Sequence, residues 1–377
     1  MVAQRRSPIA PAEPSGSTPL ELGYRMPAEW AAHAATWLAW PHHESDWPGR
    51  ASAVTWVFCE MIRQLLGSER VRILVRSSQQ KRDALGCLNQ SGIALERVDW
   101  VRVPTDRSWT RDFLPTFVTR NGARARRALG AVKWRFDGWR RYPDHRLDDA
   151  AGVYVATHHA ARSWLPEATV LGRRRRVTLE GGAVDVDGEG TLMTTESCLL
   201  EGSRARLRSL GRAGAETVLS NYLGVRRVLW LRTGIAGDDT SGHIDDFARF
   251  VRPAVVVLCR EPRPRDPNYS ILEDARERLQ AARDERGRKL EIIELPMPEP
   301  RAFRGQRLPA SYANFYIANG CVLVPTFNDV SDRRALGILG ELFPDRRVVG
   351  IYAGDLVLGL GTIHCSTQQQ PAGVPGR

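Results

Sequence analysis

The sequence predicts one large α/β domain, and three observations support that prediction. Short apolar, β-branched runs alternate with stretches of helical periodicity along the chain. No Gly/Ser-rich linker interrupts this alternation. The chain has 377 residues, which is enough to bury a large core within one domain.

The expected strands are short runs bounded by turn residues, of the length and composition typical of buried strands. They end at Gly, Pro, Asp, Asn or charged residues, which favour turns and chain reversals. The runs are Ala35–Trp40, Val71–Val75, Val98–Val103, Thr116–Val118, Val177–Leu179, Gly190–Thr194, Val228–Leu231, Val255–Cys259, Cys321–Val324, Val348–Tyr352 and Asp355–Leu360.

Four segments carry apolar residues at helical spacing. In the first of them, Val54, Phe58, Met61 and Leu65 fall on one face, which predicts an amphipathic helix packed on a sheet. Asp332 stands where the last segment begins and is a candidate N-cap. The four segments are Ser52–Leu66, Arg204–Leu223, Ser270–Glu285 and Asp332–Phe343.

A weak repetition of loops accompanies these elements. About every 60 to 80 residues, a loop holds Gly or Pro beside a polar residue, which favours a repeat architecture with loops that converge on one site. The loops are Trp40-Pro41, Arg111–Pro115, Glu180–Gly182, Ser241–Asp245 and Gly361–Cys365.

The net charge of +11 comes from arginine, because 51 of the 54 basic residues are Arg. These arginines are spread along the chain, whereas a nucleic-acid surface concentrates them in a patch or stripe. The one tight run, Arg173–Arg176, is interpreted as a solvated loop, with a polyanion patch as the alternative. We therefore expect no nucleic-acid partner.

No apolar run approaches the roughly 18 residues that span a bilayer, so no membrane partner is expected. The N-terminal segment is rich in Pro and Ser and lacks the apolar stretch of a signal peptide. We expect a cytoplasmic protein with a disordered leader at residues 1–20, a catalytic domain at 21–371 and a short tail at 372–377.

Six cysteines are present without a C-x-x-C pair, so the sequence predicts neither a zinc site nor a redox pair. Most of them are expected to be free core thiols. Cys365 differs because the glycines at 359 and 361 precede it, and glycine permits the tight backbone that exposes a nucleophile. Taken alone, Cys365 is better interpreted as an ordinary buried cysteine near the chain end.

His243 and Asp245 are two residues apart, which places both side chains on the same face if the segment is a strand. A histidine beside a carboxylate suits general acid and base catalysis. A polar turn is the alternative.

Two further loops offer carboxylates. Asp112 follows Trp109, so a cation could bind the carboxylate and stack on the indole. Glu180 precedes Gly181 and Gly182, where the backbone can approach closely and the carboxylate could orient a histidine. Together with the thiol and the histidine, these carboxylates favour a cationic substrate, because they would repel an anionic one.

The motifs as a set resemble the agmatine deiminase family, which belongs to the guanidine-modifying superfamily together with bacterial peptidylarginine deiminase. The resemblance covers most of residues 24–371 in order and rests on the joint occurrence of eight segments. They are Met26–His33, Thr36–Pro41, Trp109–Asp112, Leu179–Gly182, Thr194–Leu200, Asp238–Asp245, Ile363–Cys365 and Thr367–Pro371.

The resemblance implies a pentein fold, in which five ββαβ blades surround a central site on a pseudo-fivefold axis. It also implies roles for the candidate residues: Cys365 attacks the guanidinium carbon, His243 moves protons, and Asp112 and Asp245 hold the guanidinium nitrogens. Glu180 would orient His243. Neither a cofactor nor a metal is implied. The residues expected to line the substrate are Trp109, Trp139, Gly181, Gly182 and Asp239.

The chain departs from the family pattern at four places, none of which removes a catalytic group. They are Leu360–Thr362, Phe113–Pro115, Arg140-Arg141 and Glu201–Arg204.

Substrate identity stays open at this stage. Agmatine, a small guanidino compound with a distal ammonium, is the leading substrate, and Asp238 or Asp239 could receive that ammonium. Arg140 and Arg141, if they face the pocket, would favour a carboxylate-bearing substrate such as arginine or peptidylarginine. An amidinotransferase, or an idle basic binding protein, are the remaining alternatives. A homo-oligomer is compatible with the sequence.

Overall fold

Five small sheets built on one pattern account for most of the strands. They are seen in a computed structural model that describes residues 17–121 and 127–373. Within these residues the strands are His33–Ala39 (β1), Arg70–Val75 (β2), Val98–Arg102 (β3), Thr116–Asn121 (β4), Arg127–Val132 (β5), Arg162–Trp164 (β6), Glu167–Val170 (β7), Arg173–Arg176 (β8), Asp185–Val186 (β9), Thr191–Thr195 (β10), Arg227–Leu231 (β11), Ala248–Arg252 (β12), Val255–Arg260 (β13), Glu291–Pro296 (β14), Ala302–Phe303 (β15), Gln306–Arg307 (β16), Tyr316–Ile317 (β17), Cys321–Thr326 (β18), Arg347–Tyr352 (β19) and Gln368–Pro371 (β20).

Helices connect these strands. The α-helices of the described residues are Ala51–Leu65 (α1), Ser78–Gln90 (α2), Thr110–Phe113 (α3), Arg146–His159 (α4), Glu196–Leu199 (α5), Gly211–Leu223 (α6), Pro267–Ala281 (α7) and Asp332–Leu342 (α8). Short 3-10 turns lie at Gly138–Arg140, Gly181–Ala183, Arg208–Leu210, Ile244–Asp246 and Leu356–Gly359.

The sheet orders are β4-β5-β6, β9-β10-β11, β12-β13-β14, β17-β18-β19 and β20-β1-β2-β3. In each, an antiparallel pair is followed by a parallel neighbour. A helix joins the two parallel strands, as such a crossover requires. In the four-stranded sheet, β20, the last strand of the described residues, pairs with β1, the first. The predicted fold of five ββαβ units is confirmed.

Apolar faces of the helices pack on these sheets. Helix α1 buries Val54, Phe58, Met61 and Leu65, the stripe that its periodicity predicts. Strand β18, which helices and neighbouring strands cover, buries Cys321–Pro325 without alternation. Among the described residues, no helix combines the length and the apolar composition needed to cross a membrane.

Several predicted elements differ from the structure. The run Arg173–Arg176 is not a loop, because it pairs as β8 with β7, although its side chains are largely exposed to solvent as expected. Val177–Leu179 forms only an isolated bridge, between Thr178 and Arg135. Asp355–Leu360 is a 3-10 turn rather than a strand, and it ends at Leu360 with a φ of 65°. Such a left-handed residue cannot continue a strand.

Two predicted helix starts were also wrong. The segment Arg204–Leu223 becomes α-helical only at Gly211, because a 3-10 turn and irregular backbone occupy the residues before it. Asp332 is the first residue of α8 rather than its N-cap. Its carboxylate instead accepts hydrogen bonds from the backbone of Phe327 and Asp329, which ties the preceding loop to the helix.

The predicted leader at residues 1–20 lies outside the described residues as far as residue 16, and the predicted tail does so from residue 374. Within the described part, Ser17 accepts a hydrogen bond from the Trp164 indole, and Leu20 N donates to Asn221 O. The domain boundaries stay predictions.

Gly152 should be required for α4 to pack near the site. A Cβ there would lie 2.1 Å from Phe113 O and 2.2 Å from Lys133 Cε. Gly152→Ala is therefore expected to destabilise the protein by about 1–3 kcal/mol through overpacking. Gly86→Ala, in α2 with nothing within 4 Å, is the matched control and should stabilise it by about 0.5–1 kcal/mol. Urea unfolding measures both, and equal effects would contradict the packing argument.

Candidate active site

Five short segments, each leading into the first strand of one sheet, meet at one place. The repetition of the fold explains this, because equivalent segments of repeated units point to a common centre. Asp112 precedes β4, Glu180 precedes β9, His243 and Asp245 precede β12, Asn314 precedes β17, and Cys365 precedes β20. The structure therefore brings together all five residues to which the sequence assigns catalytic roles.

Cys365 lies at the wall of a narrow cavity of about 90 Å³. Its Sγ is 3.7 Å from Asp245 Oδ2 and accepts a hydrogen bond of 3.2 Å from Asn314 Nδ2. Gly361 leaves room for this arrangement, since a Cβ there would lie 3.0 Å from the Cys365 Cβ and 2.9 Å from the Trp109 ring. The glycine-rich approach thus serves close packing beside the thiol.

The electrostatic surroundings keep the Cys365 thiol protonated in the empty site. Burial raises its pKa, and the charges of Asp245, Asp246 and Asp112 raise it further, to well above the ordinary value. A thiolate is the nucleophile, so the resting site is poorly reactive until a positive charge enters it.

His243 lies between two carboxylates. Its Nδ1 is 3.8 Å from Asp112 Oδ1, and its Nε2 is 3.6 Å from Glu180 Oε2. Neither ring nitrogen has a hydrogen-bond partner among the described residues. Burial alone would lower the pKa of His243, but Asp112 and Glu180 raise it well above its ordinary value, so the ring is an acid near neutral pH.

The backbone around His243 differs from the prediction. His243 and Asp245 do not alternate on a strand, because Ile244–Asp246 is a 3-10 turn that precedes β12. The turn still directs both side chains to the centre, where each is at least 99% buried. Their convergence therefore arises from the turn and not from strand alternation.

Asp112 is fixed by two donors. Trp139 Nε1 donates to its Oδ2 at 2.8 Å, and Gly182 N donates to its Oδ1 at 3.0 Å. Burial raises the pKa of Asp112 to about 6, against the lowering effect of His243. A Cβ on Gly182 would lie 2.5 Å from His243 Nδ1, so only glycine fits at this position.

The two carboxylate oxygens of Asp245 have different surroundings. Its Oδ2 lies 2.6 Å from His364 Nδ1, and His364 Nε2 lies 2.7 Å from Glu29 Oε2. Burial raises the pKa of Asp245, but the hydrogen bond and charge of His364, together with the charges of His243 and Arg249, lower it overall. Oδ1 of Asp245 has no partner among the described residues, so it can accept a hydrogen bond from a ligand.

The outer part of the cavity carries aromatic and acidic groups and one arginine, Arg107, which forms an ion pair with Asp46. Trp109 lines it and donates from Nε1 to Asp46 Oδ2 at 3.2 Å. Asp239 also lines it and accepts a hydrogen bond of 2.6 Å from the Tyr142 hydroxyl. Gly181 instead allows two backbone segments to pack closely, because a Cβ there would lie 2.3 Å from Arg111 O.

Arg140 and Arg141 are not among the residues that line this cavity. Arg140 turns away and donates to the carbonyl oxygens of Ala205 and Arg206. Arg141 is partly exposed, with its Nε 3.6 Å from Asp239 Oδ2. The condition under which these arginines would select a carboxylate-bearing substrate is therefore not met in this structure.

Sequence reasoning missed several residues of the site, namely Glu29, Asp46, Tyr142, Arg206, Asp246, Asn314 and His364. The spacing of the repeat could have revealed one of them: the fifth converging segment holds Asn314, whereas the sequence suggested Trp40-Pro41. Trp40 instead follows β1 and is almost fully buried. For the other residues the sequence carries no comparable signal.

Two groups of donors among the described residues lie close enough to hold a metal ion, Glu180 with Cys198 and His243, and Asp245 with Asp246 and Cys365. In the first group, Arg206 donates to both oxygens of Glu180, and its charge opposes a metal there. The second contains the candidate nucleophile, where the same carboxylates could hold an organic cation.

The five-unit fold with a cysteine at its centre defines the pentein class of proteins. The sequence pattern of the Porphyromonas-type peptidyl-arginine deiminase family matches residues 25–371. The chain belongs to that family, and the resemblance inferred from its motifs is confirmed.

Individual relatives are consistent with this family assignment. An agmatine deiminase of Stutzerimonas stutzeri is 36% identical over 379 residues, covering 94% of this chain and 98% of the relative. The structure of an Enterococcus faecalis agmatine deiminase is similar with a TM-score of 0.84 at 30% identity, covering 97% of this chain and 100% of that one. A cysteine-to-serine variant of the C. jejuni agmatine deiminase, solved with substrate bound, gives 0.79 at 26% identity, covering 93% and 97%.

Alkylation of Cys365 should depend on the charge of the reagent. Because the pKa of the thiol is raised, neutral 2-chloroacetamide at pH 8 should react at least about tenfold more slowly than with free cysteine. Its cationic analogue 2-chloroacetamidine should react faster with Cys365 than the amide does, relative to free cysteine, because the amidinium stabilises the thiolate. Mass spectrometry of the Cys365 peptide measures both rates.

The matched controls are Asp245→Asn and Asp112→Asn, each of which removes one negative charge. Both should weaken the preference for the amidine and make the neutral reagent more reactive. An unchanged preference in both variants would contradict the assigned role of these carboxylates.

Proposed function

We propose that this protein is a hydrolytic deiminase that converts agmatine and water into N-carbamoylputrescine and ammonia. The observation that carries the proposal is the geometry around Cys365, where Asp112, Glu180, Asp245 and His243 are buried beside one thiol. Buried carboxylates are costly unless a cation joins them, so the site suits a planar guanidinium. The partner is thus a small cationic guanidino compound.

Binding of the substrate would switch on the nucleophile. A guanidinium that donates to Asp112 and to the free Oδ1 of Asp245 brings a positive charge beside Cys365. That charge opposes the carboxylates that raise the pKa of the thiol, so the thiol loses its proton as the substrate arrives. The site would then be reactive mainly when it is occupied.

The first half of the reaction forms a covalent intermediate. The Cys365 sulfur attacks the guanidinium carbon and forms a C–S bond. His243, protonated in the resting site, gives its proton to the departing nitrogen, and the C–N bond breaks to release ammonia. An S-alkylthiouronium remains on Cys365.

The second half uses water. His243, now neutral, accepts a proton from a water molecule that attacks the same carbon, and the C–S bond breaks. The sulfur leaves as the thiolate and takes up the second proton of the water, so the oxygen stays on the carbon as the ureido carbonyl and the thiol is restored. The proton that Cys365 gave up to solvent on substrate binding ends on the ammonia as ammonium, so protons balance over the cycle.

The outer cavity supports agmatine among guanidino compounds. Asp239 and Asp46 line it, and their carboxylates suit a distal ammonium. Relatives named agmatine deiminase cover almost the whole chain. A role in putrescine formation in the cytoplasm follows as part of this proposal, and six free cysteines are typical of a reducing compartment.

Substrate panels test the proposal directly. We expect ureido product and ammonia from agmatine, and at least about tenfold lower kcat/KM for 4-guanidinobutyrate, which replaces the ammonium with a carboxylate. Arginine and a peptidylarginine should be poorer still. No turnover of agmatine at millimolar concentration would overturn the choice of substrate, and amidine transfer to added ornithine or glycine would instead reveal an amidinotransferase.

Two variants separate the chemistry from the selectivity. Cys365→Ser should lower kcat on the order of 10³-fold or more, whereas Cys321→Ser, at a buried thiol outside the site, should retain it.

Asp239→Asn should raise KM for agmatine about tenfold and reduce the ratio of kcat/KM for agmatine to kcat/KM for 4-guanidinobutyrate. An unchanged ratio would exclude Asp239 as the group that binds the ammonium.

A further inference from the structure

Arg206 forms a buried ion pair with Glu180. Its single Nε–H is shared between both carboxylate oxygens of Glu180, each 3.0 Å away, and neither side chain has measurable exposure to solvent. Removal of one partner from so deeply buried a pair leaves the other charge uncompensated, which is strongly unfavourable.

The position of Arg206 is set by contacts on three sides. Its N donates to Cys198 O at 3.0 Å, and its Nη1 donates to Arg204 O at 3.0 Å. Arg140 donates to the carbonyl oxygens of Ala205 and Arg206, at 2.6 and 3.2 Å. Two departures from the family pattern, at Arg140 and at the loop ending in Arg204, therefore cooperate in holding one side chain.

The ion pair also determines how Glu180 meets His243. Glu180 Oε2 lies 3.6 Å from His243 Nε2, near enough for charge attraction but beyond a hydrogen bond. Because Arg206 binds both oxygens, Glu180 does not close onto the ring, and both nitrogens of His243 stay free of protein partners. A histidine that must give a proton to ammonia and take one from water needs that freedom.

Charge balance depends on the same guanidinium. Burial raises the pKa of Glu180, but Arg206 and His243 lower it to about 2, so the carboxylate stays ionised. Without Arg206, the site would hold one more uncompensated negative charge. Every group in it would then lose its proton less readily.

We propose that Arg206 is a positioning residue for the deimination: it fixes Glu180 beneath His243 and supplies the cation that balances the central carboxylates. This inference rests on the proposed function for its effect on turnover. Its effect on Cys365 can be measured without any substrate.

The experiment compares Arg206→Met, which removes the charge, with Arg206→Lys, which keeps it but loses the Nε–H that both Glu180 oxygens share. Two pH profiles are recorded for each, kcat/KM for agmatine and alkylation of Cys365 by 2-chloroacetamide. In Arg206→Met, both profiles should move to higher pH by about one unit or more. In Arg206→Lys, they should stay near the wild-type position while kcat falls about tenfold because Glu180 is less well fixed.

Arg276→Met is the matched control, because it removes an Arg–Glu pair with Glu273 on α7 and should move neither profile. Circular dichroism and thermal melting establish that each variant is folded. If Arg206→Met does not fold, the neutral Arg206→Gln carries the same expectation.

Two outcomes would overturn the inference, and a third would overturn only the proposed function. Profiles of a folded neutral variant that coincide with wild type would overturn it, because a purely structural arginine changes the amount of active protein and not the pH dependence. An equal shift in Arg206→Lys would also overturn it. Failure of wild type to act on any guanidino compound would overturn the proposed function alone, because the alkylation profiles still report on Arg206.

Discussion

The structure depends on keeping a cluster of carboxylates ionised in a centre that excludes most water. Glu29 shows how the chain does this. It accepts from Arg249 at 2.9 Å, from Arg111 at 3.2 Å and from Ile317 N at 2.8 Å, and it contacts His364. Burial raises the pKa of Glu29, but the arginines and His364 together lower it well below its ordinary value. The central carboxylates are thus backed by an outer layer of buried cations.

This layer gives the inner carboxylates different states. Asp245, beside His364, has a lowered pKa, whereas Asp246, one residue further on, has a strongly raised one because of burial and the charge of Asp245. Asp246 accepts a hydrogen bond from Asn314, the residue that also donates to Cys365. Asp245 therefore stays ionised to lower pH where a guanidinium would bind, whereas Asp246, behind the nucleophile, holds its proton to higher pH.

The alternation of apolar runs with helical stripes was sufficient to predict one α/β domain, whereas the arrangement of five units came from the family resemblance. Cys365, Asp112 and Glu180 each had an ordinary explanation alone, and they could be selected because their motifs occur together and in order. Asn314 could not, because a lone asparagine has no chemical signature until its unit is aligned with the other four. The orientation of the Arg140 side chain could not be predicted either, since Trp139 and Arg140 adopt positive φ values of 56° and 54°. Such left-handed backbone is rare outside glycine, and periodicity does not foresee it.

The pairing of β20 with β1 has a consequence for how the protein becomes active. Cys365 enters the centre only when the last strand docks beside the first, a contact between residues more than 300 positions apart in sequence. Contacts of such long range carry a large loop-closure entropy cost, so we expect this pairing to form late in folding. The nucleophile thus joins its four partner segments in the step that closes the ring. A partly folded chain would carry the acids and the histidine but no assembled catalyst, so completion of the fold and the onset of reactivity are one event.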